Sequence, residues 1–115
     1  MAYSEPLANR IRERLSELEL NNVEEKAMMG GLVFMIDDKM CIGIIKDEMM
    51  CRIDPELHES LVEIPGCRTM DFTSRPMKGY VLVEPEALKS QKDFNYWVNL
   101  CLDFNPRAKS SKKKK

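Results

Sequence analysis

The sequence predicts an α+β domain: a two-layer arrangement of an antiparallel sheet with helices packed against it. Three observations lead there. Amphipathic helical stripes stand at both ends, over residues 4–18 and 90–104. Between them lie short apolar runs rich in Val, Ile, Leu, Met and Phe. The polar connections "DDK" (37–39) and "KDE" (46–48) are too short for anything but hairpins.

Taken in order, Ser4 is a fitting N-cap and Pro6 suits a first helical turn. Leu7, Ile11, Leu15 and Leu18 then make one stripe, and Asn21-Asn22 ends the helix because asparagine tolerates the left-handed cap. Val23 to Met29, Leu32 to Ile36, Met40 to Ile45 and Met49 to Ile53 read as four successive strands. "DPELHESLVEI" opens with Asp54 as cap and Pro55 at the first helical position, giving a short helix that Pro65-Gly66 stops. "RTMDF" and "GYVLVEP" read as two more strands joined by "TSRPMKG". Ser90 with Asp93 resembles a capping box for the last helix. Phe94, Trp97, Val98, Cys101 and Leu102 form its apolar stripe, and Pro106 terminates it. The expected organisation is one domain over 1–106 and a basic, disordered tail over 107–115.

The chain has 115 residues, enough to bury a core without disulfides. No apolar run is long enough to span a bilayer and no signal segment opens the sequence, so no membrane partner is expected and the cytoplasm is the default location. Charge is unevenly placed. All 19 acidic residues precede position 107, while six of the 18 basic ones are Arg107, Lys109, Lys112, Lys113, Lys114 and Lys115. The body before that segment therefore carries 12 basic against 19 acidic residues, a net −7. Such a body repels phosphate, so nucleic acid could be held only by the tail.

The Gly30-Gly31 pair is the one glycine doublet. A phosphate cradle needs a glycine-rich loop leading into a helix N-terminus, usually with lysine. Here a strand-like run follows, so the pair reads as a bend where positive φ or close backbone approach is required. His58 is the single histidine, placed between Glu56 and Glu59 with no nucleophile motif, and reads as a solvated helix residue. Cys41, Cys51, Cys67 and Cys101 form no C-x-x-C pair and read as reduced, core-filling thiols; no metal and no cofactor is expected. The nine methionines and Trp97 read as core. No acid–base or nucleophile constellation is visible, so the chain reads as a non-enzyme.

A two-residue turn at Asp38-Lys39 would place Leu32, Phe34, Ile36, Cys41, Gly43 and Ile45 on one face, with Phe34 opposite Gly43. Val33, Met35, Met40, Ile42 and Ile44 would share the other. Because three helices cover one face more readily than two, Val33, Met35, Ile42 and Ile44 are expected as an exposed apolar interface toward a second copy or another protein.

Five segments, "MMGGLVFMIDDKM", "CRID", "MDF", "KGYVLVEPEAL" and "FNYWVNLCLDF", resemble in order and spacing the Sxy/TfoX N-terminal domain family over residues 5–104. The resemblance implies an antiparallel α+β fold like that of secretion chaperones. The best-known members regulate competence and DNA-uptake genes and carry a second, helical C-terminal domain; this sequence resembles a standalone N-terminal domain. The function expected is a small cytoplasmic regulatory module working through protein–protein contacts. The alternative is a nucleic-acid-associated regulator that uses the basic tail.

Overall fold

The computed structural model describes residues 3–20, 22–28, 30–72 and 75–108. Helix α1 (Glu5–Glu17) starts where predicted: Ser4 Oγ accepts the Leu7 N–H at 3.3 Å and Pro6 fills the first turn. Strands β1 (Val23–Met28), β2 (Gly31–Ile36), β3 (Lys39–Ile45) and β4 (Glu48–Arg52) follow as a meander. A short 3-10 turn (Pro55–Leu57) leads into α2 (His58–Leu61). The hairpin of β5 (Cys67–Phe72) and β6 (Arg75–Val83) comes next, then a 3-10 turn at Pro85–Leu88. Helix α3 (Gln91–Phe104), capped by Ser90 Oγ on the Asp93 N–H, completes the set with a final turn at Asn105–Arg107.

The six strands make one open antiparallel sheet in the order β1-β2-β3-β4-β6-β5. The crossing through α2 sends β6, not β5, against β4. The helices lie on one face. Leu7, Ile11 and Leu15 of α1, Leu61 of α2 and Phe94, Trp97, Val98 and Cys101 of α3 pack with Phe34, Ile42, Ile44, Met49, Cys51 and Val81 of the sheet. The other face has its own smaller cluster, Met50, Met70 and Leu82, bordered by Met40, Ile45 and Tyr80. Methionine, unbranched and adaptable, suits such a thin layer.

The β2–β3 register departs from the sequence reading in two ways. The turn residues are Asp37 and Asp38, both left-handed (φ 54° and 66°), as a primed two-residue hairpin demands. That slip alone keeps every side chain on its predicted face. A bulge between Phe34 and Met35 does not: below it Met35 pairs with Met40, above it Phe34 pairs with Ile42, Val33 with Gly43 and Leu32 with Ile44. The extra residue inverts the face of everything beyond it on β3. Ile42 and Ile44 therefore join the helix-side core, and the ring of Phe34 does not cover Gly43.

Candidate functional site

Gly30 and Gly31 make the bend, for two separate reasons. Gly30 has φ +73°, and a Cβ there would meet nothing within 4 Å. Gly31 begins β2, and a Cβ there would stand 1.9 Å from the carbonyl oxygen of Ile44. One glycine supplies the left-handed backbone and the other lets two strands approach. A strand follows, so the doublet does not lead into a helix N-terminus.

The four residues expected at an exposed interface are all buried inside the single chain. Val33 and Met35 are 2% and 3% exposed on the far face, and Ile42 and Ile44 are fully buried on the helix side. The bulge separates the two pairs, and the far-face pair is closed over within the chain.

His58 is also not where its acidic neighbours imply. It is 6% exposed. The Gly79 N–H donates to Nδ1 at 2.9 Å, so Nδ1 carries no proton; Nε2 holds it and faces Thr69 Oγ1 at 2.9 Å. Both ring nitrogens are spent tying α2 to the β5–β6 hairpin. The sequence signal was its position three residues before Leu61, on the inward side of a one-turn helix.

The four thiols are buried and unbridged. Burial raises the Cys41, Cys67 and Cys101 thiols, Cys67 to about 11, so these three are not activated nucleophiles. Among the described residues no three His, Cys, Asp or Glu side chains converge on a metal-sized site.

Arg107 belongs to the folded body rather than to a free tail. Its Nη1 lies 2.8 Å from Asp54 Oδ2, its Nη2 lies 3.7 Å from Asp103, and its guanidinium sits 5.2 Å from the Phe104 ring centroid. The Glu56 N–H and the Arg107 side chain together hold the Asp54 carboxyl below its usual range. Ala108 is buried, and Lys39 Nζ donates to the Asn105 and Pro106 carbonyls, closing the end of α3. Lys109, Lys112, Lys113, Lys114 and Lys115 lie outside the described residues.

Surface hollows remain among the described residues. A cleft of about 530 Å³ is lined by Asn22, Val23, Glu24, Asp37 and Asp38, an acidic setting that repels phosphate. A second, of about 320 Å³, lies between the start of α1 and the Pro85–Leu88 turn. Its one cation, Arg10, already donates to the Leu88 carbonyl at 2.9 Å and stacks 4.2 Å from the Phe94 ring centroid, fastening α1 to that turn. A further one, of about 340 Å³, is lined more by apolar than by polar surface. Ile64, Pro65 and Ala87 form one side, and Asp93, Tyr96 and Trp97 of α3 the other. Tyr96 is 46% exposed and meets Trp97 edge-on at 5.4 Å between centroids. Sequence periodicity flagged Trp97 as core, which it is at 2% exposure, but not Tyr96 beside it. The groove brings residues 64–65 together with residues 87 and 93–97.

The family model of the TfoX N-terminal domain matches residues 13–105 of the 115. No curated protein and no solved structure matches the chain.

Proposed function

The chain belongs to the TfoX N-terminal domain family, and from that premise we propose that it is a small cytoplasmic, non-enzymatic module that regulates by binding another protein. The observation that carries this reading is the groove at Tyr96: a large aromatic side chain left 46% exposed on α3 beside a largely apolar hollow. An exposed aromatic with a buried partner behind it is the anatomy of a protein contact, since aromatic residues concentrate contact area at little entropic cost. The groups best suited to chemistry serve packing instead. His58 has both ring nitrogens engaged, and the thiols are buried.

The test is affinity capture of the full chain at native abundance from its own cells, followed by mass spectrometry and reconstitution of each candidate pair. A protein that re-forms a stable one-to-one complex with the purified chain supports the module. Capture of small-molecule turnover activity with no protein partner would overturn it.

A second reading rests on the charge division: a nucleic-acid-associated regulator with the lysine-rich segment on phosphate. Because Arg107 is engaged by Asp54, the cations available are Lys109 and Lys112 to Lys115. Neutralising five phosphates would give a log–log salt slope of about −4.5 on duplex DNA. Deleting 109–115 should then abolish DNA affinity at low salt; unchanged affinity would retire the second reading.

A further inference from the structure

Resting on the reading of the chain as a protein-binding module, we propose that the groove between the Ile64–Cys67 turn and α3 docks an extended, proline-containing segment of a partner that also carries basic residues. The groove is built in advance. Pro65 and Gly66 (φ +89°) occupy the middle of a tight turn closed by the Cys67 N–H on the Ile64 carbonyl at 3.0 Å, the type II pattern of Pro followed by Gly. The Glu84 N–H donates to the Gly66 carbonyl at 2.8 Å, tying the turn to the end of β6. A Cβ on Gly66 would come within 3.0 Å of the Ala87 Cβ, so the turn sits flush on the Pro85–Leu88 segment. The opposite wall is the capped first half of α3. Neither wall must be assembled on binding, which keeps the ordering cost low.

The lining selects the ligand's backbone. Tyr96 and Trp97 stand edge-to-face, with Trp97 recessed and Tyr96 raised, and Pro65 lies across from them. A shallow aromatic hollow of this kind suits the flat pyrrolidine ring. A polyproline II segment brings such rings at three residues per turn, already extended and poor in entropy to lose. A groove of about 340 Å³ takes a few residues of extended chain, not the flank of a helix.

Charge selects its flanking residues. Asp93 is in the lining, Glu84 adjoins Gly66 and Ala87, and Glu63 precedes the turn; all three are exposed. Among the described residues no cation forms an ion pair with any of them, while Lys89 is occupied by Glu86 at 3.5 Å. Lys92 stands about 100° round the helix from Asp93. A basic residue beside the proline would find unpaired carboxylates on both sides.

Trp97 is the single tryptophan and reports on the groove floor. The full chain is titrated with three ten-residue peptides: prolines with two lysines, prolines with two glutamates, and glycine–serine with two lysines. Tryptophan emission and ¹H–¹⁵N spectra are the readouts. The lysine–proline peptide should shift Trp97 emission and the amides of residues 64, 66, 67, 87 and 93–97, and the other two should not. Tyr96→Ala and Asp93→Lys should each weaken binding about tenfold while the chain stays folded by circular dichroism. Absence of shifts at these amides, equal binding of either control peptide, or indifference to Tyr96→Ala would overturn the proposal. A reconstituted partner held equally by wild type and Tyr96→Ala would retire this groove and leave the module standing; no partner at all would retire both.

Discussion

Replacing Gly31 by alanine is the sharpest test of the sheet described above. The new Cβ would stand 1.9 Å from the Ile44 carbonyl oxygen and 3.0 Å from its carbon. Carbon–oxygen contacts need at least about 3.0 Å, so β2 and β3 must part by about 1.1 Å at a rung where strands normally lie about 4.8 Å apart. The obstacle is backbone and cannot rotate away. Overpacking of this kind costs about 1–3 kcal/mol, and a weakened ladder bond near Leu32 and Ile44 adds about 1 kcal/mol. The expected loss is about 3 kcal/mol. Gly30→Ala is the control. Its space is empty, so only the left-handed backbone is penalised, by about 1–2 kcal/mol. Urea unfolding followed by Trp97 emission measures both. At a slope of about 2 kcal/mol/M, Gly31→Ala should lower the midpoint by about 1.5 M and Gly30→Ala by about 0.5–1 M. A Gly31→Ala midpoint within error of wild type, or a larger loss from Gly30→Ala, would refute the close-approach account.

Three further outcomes follow from the same contacts. His58→Ala leaves the Gly79 N–H without an acceptor and should cost about 2–3 kcal/mol; a loss below 0.5 kcal/mol by calorimetry would contradict the paired-nitrogen geometry. Stability should fall above about pH 9. The Cys41, Cys67 and Cys101 thiols keep their protons in the folded chain, Cys67 up to about 11, while the unfolded chain releases them near the ordinary value of about 8.5; replacing Cys67 with alanine should flatten part of that decline in denaturant melts. At the acid end, Arg12 bonds Glu25 and lowers its carboxyl, and Asp54 is lowered as well. Their contribution is complete above the usual carboxylate range and fades as pH drops through it, so an Arg12→Met variant should show a shallower acid transition in circular dichroism.

Where the sequence was legible, local chemistry alone decided the structure. Ser4 and Ser90 begin their helices because their hydroxyls satisfy particular orphan amides, and that requirement is visible in one dimension. The hairpins were legible because two or three polar residues leave the chain no other path. The bulge after Phe34 was not, since nothing in "MIDDKMCIG" distinguishes one extra residue on β3 from a different turn. Its effect on Ile42 and Ile44 was nonetheless complete, because pleat parity has only two values. His58 and Arg107 were misplaced for a related reason. Their nearest neighbours in sequence are acidic or basic, but their partners, Thr69, Gly79 and Asp54, are set by the fold. The groove at Tyr96 was invisible for the same cause, being assembled from residues 64–65, 87 and 93–97.

The strand order has a consequence for how fast the chain folds. Within the block β1 to β4 every pairing joins sequence neighbours, and β5 pairs with its neighbour β6, so both blocks can zip by closing short loops within microseconds. One seam joins them, Met49 to Arg52 against Tyr80 to Val83, and it closes a loop of some thirty residues. That seam, with α3 lying across β4, holds the long-range contacts that slow folding as sequence separation grows. Substitutions at Cys51 or Val81 should therefore change the refolding rate. Those at the β1 edge, such as Glu24 or Ala27, should change only the unfolding rate.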